Sequence, residues 1–327
     1  MPTISYIEGV TAAIREEMRA DPRVFVLGED VGVRGGVFRA TAGLYEEFGQ
    51  DRVLDTPLTE SAIVGVAIGA AAYGMRPIAE IQFADFILPA VNQIMSEAAK
   101  MRYRSNGSWG CPLVIRAPYG GGIHGALYHS QSIESIFVGT PGLKIVAPST
   151  PYDVKGLLKT AIRDEDPVLF LEHKRCYRWI KGDIPDEEYT IPLGKADVKL
   201  EGTDVTVITY GLMVHYALEA AKNLKDEGIH VHLLDLRTLV PLDKEAILEA
   251  TAKTGKVLII HEDNKTGGFG SEVSAIIAEE GLFELDAPIQ RLCGPDVPAM
   301  PYNALLEREF MLDPQKIEVA IRELAEF

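Results

Sequence analysis

The chain has 327 residues, enough for about two domains, with 47% hydrophobic and 24% charged content and no disordered or collagen-like composition. Its charge of −16, from 32 basic and 48 acidic side chains, excludes nucleic acid and an anionic membrane surface as partners, but admits a basic protein. Three scattered cysteines, Cys111, Cys176 and Cys293, with no CxxC, give no disulfide framework and suit a reducing compartment. The start lacks the basic and apolar regions of a signal peptide and the Arg-rich pattern of a transit segment, so a cytoplasmic, bacterial-like location is expected. The apolar stretch 62–73 is too short to span a bilayer.

Short β-branched runs alternate with amphipathic segments. Strands are predicted at 24–27, 77–81, 113–116, 143–147 and 168–171, with helices at 6–20, 61–73, 89–104 and 151–163. This alternation predicts a parallel sheet covered by helices. Pro151 after Ser149 and Thr150 marks a helix start. A polar, turn-rich stretch then intervenes. A second alternation follows: strands at 206–210, 230–234, 257–260 and 288–291, and helices at 213–227, 243–254, 270–280 and 313–324. In the last helix Ile317, Ala320, Ile321 and Leu324 fall on one face. The fold class is α/β, with two domains over 1–185 and 203–327 and a linker over 186–202.

Gly120-Gly-Gly-Ile-His-Gly125 matches GxGxxG after a strand. A dinucleotide site needs an acid about twenty residues on, at the next strand end. That strand ends in Val146-Ala-Pro-Ser149, without one. Two readings stay open: a tightly turning loop, or an active-site loop carrying His124 and His129. Gly28-Glu-Asp-Val-Gly-Val-Arg-Gly-Gly36 lacks the Lys-Ser/Thr of a P-loop. Glu60 opens a helix, where a carboxylate suits the dipole and is commonly a cap. The helix after it is rich in small residues, which suits either a tight core or a subunit interface. No HExxH or GxSxG occurs.

Taken together, Leu27-Gly-Glu-Asp-Val-Gly32, Gly35-Gly-Val-Phe38, Asp55-Thr-Pro-Leu-Thr-Glu60, Ile81-Gln-Phe-Ala-Asp-Phe86, the block from His124 to Ser132, Pro148-Ser-Thr-Pro-Tyr-Asp153 and Leu234-Asp-Leu-Arg-Thr238 carry a resemblance over essentially the whole chain. The sequence resembles the beta subunit of the decarboxylating component of 2-oxo acid dehydrogenase complexes. Its two halves resemble the transketolase pyrimidine-binding and C-terminal domains. Gly125-Ala-Leu-Tyr-His-Ser-Gln-Ser132 and Gly294-Pro-Asp-Val-Pro-Ala-Met-Pro301 are most similar to branched-chain members; pyruvate and acetoin members are the alternative, and a non-catalytic docking subunit a further one. Thr59 stands where Ala or Ser is common.

The resemblance implies thiamine diphosphate as cofactor. Glu60, expected as a buried acid, would hydrogen-bond the pyrimidine ring nitrogen and is a catalytic residue. Leu58, Gln82 and Phe86 match pyrimidine-contacting positions. His129 matches a catalytic histidine on the acyl-transfer side, and His124 a residue shaping its loop. A potassium ion, held in some members, maps to Cys111, Leu113, Val114, Ala161, Asp164 and Asp166. The magnesium-binding Gly-Asp-Gly segment is missing, so an alpha subunit is expected to hold the magnesium and the diphosphate half, in an assembly of two alpha and two beta subunits. Asp296 and the Phe327 carboxylate are expected to dock the peripheral-subunit-binding domain of a dihydrolipoyl acyltransferase, whose lipoyl domain accepts the acyl group.

Overall fold

The computed structural model describes residues 2–327, which form two compact units: residues 2–119 with 136–193, and residues 120–135 with 194–327. No helix among the described residues is long and apolar enough to cross a membrane.

The first unit is built on a parallel sheet. Its strands are β1 (Val24–Gly28), β2 (Val53–Asp55), β3 (Arg76–Glu80), β4 (Val114–Tyr119), β5 (Lys144–Val146) and β6 (Val168–His173), in spatial order β5-β6-β4-β3-β1-β2. β1, β4 and β6 are buried along their whole length, as strands covered on both faces must be. Helix α1 (Tyr6–Ala20) begins where the Glu8 carboxylate reaches back to the Ser5 N–H at 2.7 Å. Helix α2 (Glu60–Ala72) follows β2. Helix α3 (Pro151–Arg163) starts with Pro151 and with Thr150 Oγ1 accepting from the Asp153 N–H at 3.1 Å.

α1 packs on α3 at close range. A Cβ on Gly9 would meet Val154 Cγ1 at 2.9 Å and Pro151 O at 3.0 Å, so only glycine allows this approach. Charges flank the contact. Arg163 grips Glu17 at 2.7 and 2.8 Å, and Lys155 and Lys159 both reach Glu16. Thr3–Ser5 pairs antiparallel with Lys181–Asp183, tying the start of the unit to its end.

The second unit carries a mixed sheet of β7 (Asp197–Leu200), β8 (Val205–Thr209), β9 (Val231–Asp235), β10 (Val257–Asn264) and β11 (Gln290–Gly294), in order β11-β10-β8-β9-β7. β7 alone runs antiparallel, on the edge beside β9. Helix α4 (Leu212–Lys225) packs with the last helix, α8 (Pro314–Ala325); between them in sequence lie α5 (Lys244–Thr254), α6 (Gly270–Glu280) and α7 (Ala304–Phe310). α8 is capped by Asp313 Oδ1 on the Lys316 N–H at 2.7 Å, and buries Ile317, Ile321 and Leu324.

Three expectations change. Residues 89–104 are not one helix. They run as a 3₁₀ turn at Leu88–Ala90, a wide π-type segment at Gln93–Ala98 and a short helix at Met101–Arg104. The Ala99 N–H bonds back to Ile94 O, five residues away, which widens the turn, and a Cβ on Gly142 would collide with the Ala99 carbonyl there. Residues 186–202 hold the edge strand β7, whose alternating exposure comes from its antiparallel edge position. α7 was not predicted; Asn303 Oδ1 caps it on the Leu305 N–H at 3.0 Å.

Candidate active site

In the first unit β1 is followed in space by β2 on one side and by β3 on the other. The chain order therefore reverses at β1, and its carboxyl end and that of β3 form the switch point where open α/β sheets bind ligands. Glu29 follows β1, Leu58 and Glu60 follow β2, and Gln82 and Phe86 follow β3. The four residues expected to bind pyrimidine thus leave the ends of two strands, β2 and β3, which flank β1 and its Glu29.

Each is held by local structure. Gly32 N–H donates to Asp55 Oδ1 at 2.6 Å, joining the loop after β1 to the end of β2. A Cβ on Gly32 would lie 2.5–2.9 Å from the Asp55 carboxylate, so any side chain here would push that carboxylate aside. Gln82 Nε2 donates to Glu29 O at 3.4 Å. Glu60 is the first residue of α2 and is half-buried, not fully buried, because it stands on the open rim of the strand ends. Partial burial, Asp30 and Glu60 together push the Glu29 carboxyl above its usual range. Leu58 is 72% exposed. An apolar side chain in water beside a carboxylate fits an aromatic heterocycle with ring nitrogens. Phe86 stacks edge-on against Phe83 at 5.5 Å, and Phe83 against Phe38 at 5.2 Å.

Directly beneath lies a buried charged network that sequence reasoning missed. Arg116, wholly buried in β4, donates to Glu172 at 2.7 Å through both Nε and Nη2, and to Glu80 at 2.5 Å. Tyr177 OH donates to the same Glu172 at 2.6 Å, and its ring lies 5.2 Å from Phe38. Glu80 pairs in register with Gly28, and a Cβ on Gly28 would meet Glu80 O at 2.7 Å. Burial pushes the Glu80 carboxyl up, against the pull of Arg116. The network therefore braces the strand ends from which the site residues emerge.

His124 and His129 lie in the second unit, on residues 120–135. Gly120, Gly122, His124 and Ala126 all have positive φ, and a Cβ on Gly125 would meet His129 O at 2.7 Å. A run of left-handed residues is strained and persists only where its surroundings fix it. His124 Nδ1 lies 2.7 Å from Glu307 Oε2 on α7, with Tyr302 against the ring at 4.6 Å. Gln131 Nε2 donates to Leu127 O at 3.2 Å, closing the loop across its base. His129 is half-buried.

The residues matched to a potassium site come together around the start of β4 and the end of α3, but their acids are already engaged. Lys144 Nζ sits 2.7 Å from both oxygens of Asp164 and 3.7 Å from Asp166, and Arg102 pairs with Asp166. Cys111, Leu113, Val114 and Ala161 are buried, and the carbonyls of Cys111, Leu113 and Ala161 already accept one main-chain N–H each, which leaves each a second lone pair. A cation here would rest on those carbonyls, not on the carboxylates. In the second unit Asp296 is exposed and accepts from Thr266 N–H at 3.0 Å and Oγ1 at 2.7 Å, which hold its carboxyl below the usual range. Phe327 is exposed. α2 turns Ala62, Val66, Gly69 and Tyr73 outward, an apolar stripe one helical face wide.

Comparison with known families agrees with this geometry. Residues 2–180 match the transketolase pyrimidine-binding domain and residues 194–317 the transketolase C-terminal domain. The chain is 69% identical, over all of both chains, to the 2-oxoisovalerate dehydrogenase subunit beta of Bacillus subtilis. It is 50% identical over 90% of its length, and 91% of the relative's, to the pyruvate dehydrogenase E1 component subunit beta of the same organism. Among solved structures it matches a split gene transketolase, an inactive beta4 tetramer, at 25% identity and a TM-score of 0.79, covering 99% of this chain and 98% of that one.

Proposed function

This chain belongs to the beta subunits of 2-oxo acid dehydrogenases, and from that premise we propose that it serves the oxidative decarboxylation of a branched-chain 2-oxo acid, 3-methyl-2-oxobutanoate in the first place. The observation that carries the substrate reading is the margin between 69% identity to the 2-oxoisovalerate relative and 50% to the pyruvate relative. A pyruvate or acetoin substrate is the alternative. A docking-only role is disfavoured by the presence of both Glu60 and His129 at their motif positions.

The switch point of the first unit fits the pyrimidine half of thiamine diphosphate: exposed Leu58 and half-buried Phe86 give it apolar faces, and Gln82 and Glu60 give it polar edges. When bound, that cofactor supplies the electron sink for loss of carbon dioxide from the 2-oxo acid. Glu60 would hold a proton at the pyrimidine ring nitrogen and move it as the reaction proceeds. Its place at the start of α2, beside the partly buried Glu29, supports that use. Leu58 and Phe86 would keep water from the ring. His129 would position the substrate or move a proton while the lipoyl group is acylated.

This chain lacks a Gly-Asp-Gly segment. The magnesium and the diphosphate half would therefore come from an alpha subunit, in an assembly of two alpha and two beta subunits. The outward stripe of α2 is proposed as a subunit contact. A potassium ion would be held by the main-chain carbonyls near Cys111, Leu113, Val114 and Ala161, beside Asp164 and Asp166. Asp296 and the Phe327 carboxylate would receive a basic domain of the acyltransferase, in a cytoplasmic complex. The test of the substrate reading is kcat/KM for 3-methyl-2-oxobutanoate against pyruvate, using the chain co-expressed with an alpha subunit. Preference for pyruvate would overturn the branched-chain assignment.

A further inference from the structure

We propose that Glu134, Glu262 and Asp263 are positioning residues that fasten the segment carrying His124 and His129 to the rest of the second unit, and that these buried anchors make its closure depend on pH. The segment returns to the fold at both ends through carboxylates. At its start the Gly121 N–H donates to Glu262, and a Cβ on Gly121 would collide with Met300 and approach that carboxylate. At its end Glu134, wholly buried, accepts from Tyr210 OH at 2.7 Å and from the Ile133 N–H at 2.9 Å. Ser135 next to it donates to Asp263. Glu262 and Asp263 lie side by side on β10, 7% and 6% exposed. Between these two anchors stand three positive-φ residues, Gly122, His124 and Ala126, two of them not glycine. A strained run of this kind is kept by its anchors. Behind it lies a cavity of about 120 Å³ lined in part by Ser130, Ser132, Glu262, Asp263, Pro298 and Met300.

The groups facing Glu134 are Asp263 and Glu262 from β10 and Tyr210 after β8. His261, on the same strand, turns Nδ1 to Asp263 O and Nε2 toward Cys293 Sγ; burial pushes it down to about 4, so it brings no positive charge near neutral pH. Three buried acids of one sign do not all ionise together. Burial and Asp263 push the Glu134 carboxyl up to about 8, and burial raises Asp263 as well. Freed by opening, these groups return toward ordinary carboxyl values. The closed segment therefore holds protons that the open segment releases. Closure is strongest at low pH, weakens as pH rises above the ordinary carboxyl range, and stops changing once pH passes about 8.

The catalytic consequence rests on the reading of His129 above; the anchoring does not. The test is hydrogen exchange of residues 121–132 in the assembled alpha–beta complex, corrected for intrinsic rates, from pH 5.5 to 9. In the wild type the opening constant should rise by up to about tenfold per pH unit for each proton released, then level near pH 8. Glu134→Gln should lose most of that dependence. Tyr210→Phe removes the bond that favours the charged form, so its levelling point should move to higher pH even if the glutamine variant fails to fold. Constant opening across the range in the wild type, or an unchanged levelling point in Tyr210→Phe, overturns the proposal, as does a folded glutamine variant that follows the wild type. Lipoyl acylation measured in the same window separates the two readings. Exchange that follows pH while acylation does not would keep the anchors and remove His129 from that step.

Discussion

Replacing Arg116 by methionine tests the brace under the switch point. The side chain is wholly buried and donates to two carboxylates that are themselves 4% and 0% exposed. Methionine fills much of the volume but leaves Glu80 and Glu172 without their cation. Breaking a buried pair from one side costs about 3–5 kcal/mol. Glu172 keeps the Tyr177 hydroxyl, so the heavier burden falls on Glu80, which burial already pushes up. In the variant the Glu80 carboxyl is raised further in the folded state than in the unfolded one. Its protonated form fits the site, so the penalty is smallest near pH 5. It grows by up to about 1.4 kcal/mol per pH unit as pH rises. The assay is hydrogen exchange of the slowest amides of β4 and β6, which open only with the whole unit. At pH 8 their opening free energy should fall by about 3–5 kcal/mol, with a melting shift of roughly 6–20 °C. A loss below about 1 kcal/mol at pH 8, or one that does not depend on pH, would refute the reasoning, since ordinary surface changes stay within about 0.5 kcal/mol.

Other expected outcomes follow from the same structure. Gly32→Ala should weaken thiamine diphosphate binding by at least about tenfold, because a Cβ there displaces the Asp55 contact that joins two site loops; titration of the assembled enzyme measures it, and unchanged affinity would mean these loops do not form the site. His129→Ala should slow lipoyl acylation by about 10²–10⁴-fold while decarboxylation coupled to an artificial electron acceptor persists; equal loss of both would place the histidine at the earlier step. Replacing potassium by choline should lower the melting temperature of the assembled enzyme if the carbonyls near Cys111 hold the ion, and identical melting curves would remove it. Asp313→Ala should cost about 1 kcal/mol by uncapping α8, read from denaturant midpoints at constant slope; no change would mean the cap is redundant.

Much of the fold is legible because local signals and tertiary packing agree. Thr150 and Pro151 mark the start of α3 in sequence and cap it in space. Ile317, Ile321 and Leu324 share a face by spacing, and that face is buried. Residues 89–104 mislead because apolar spacing does not separate an even helix from one widened by a π-type turn. At the site, Leu58, Glu60, Gln82 and Phe86 are legible as motif positions, and the strand-end topology then brings their loops to the two strands that flank β1. The supports are not legible. Arg116 is 36 residues from Glu80 and 56 from Glu172, and Tyr210 is 76 from Glu134. No local pattern in an apolar strand announces a charge whose partners arrive only on folding.

Glu60 carries the central claim. With an alpha subunit, magnesium and thiamine diphosphate supplied, turnover of 3-methyl-2-oxobutanoate by the wild type should be compared with that by Glu60→Gln and Glu60→Ala. Glu60→Ala should lose about 10²–10⁴-fold in kcat, as for a general acid or base, with assembly and melting temperature unchanged. Near wild-type turnover in a correctly assembled Glu60→Ala complex would contradict that claim.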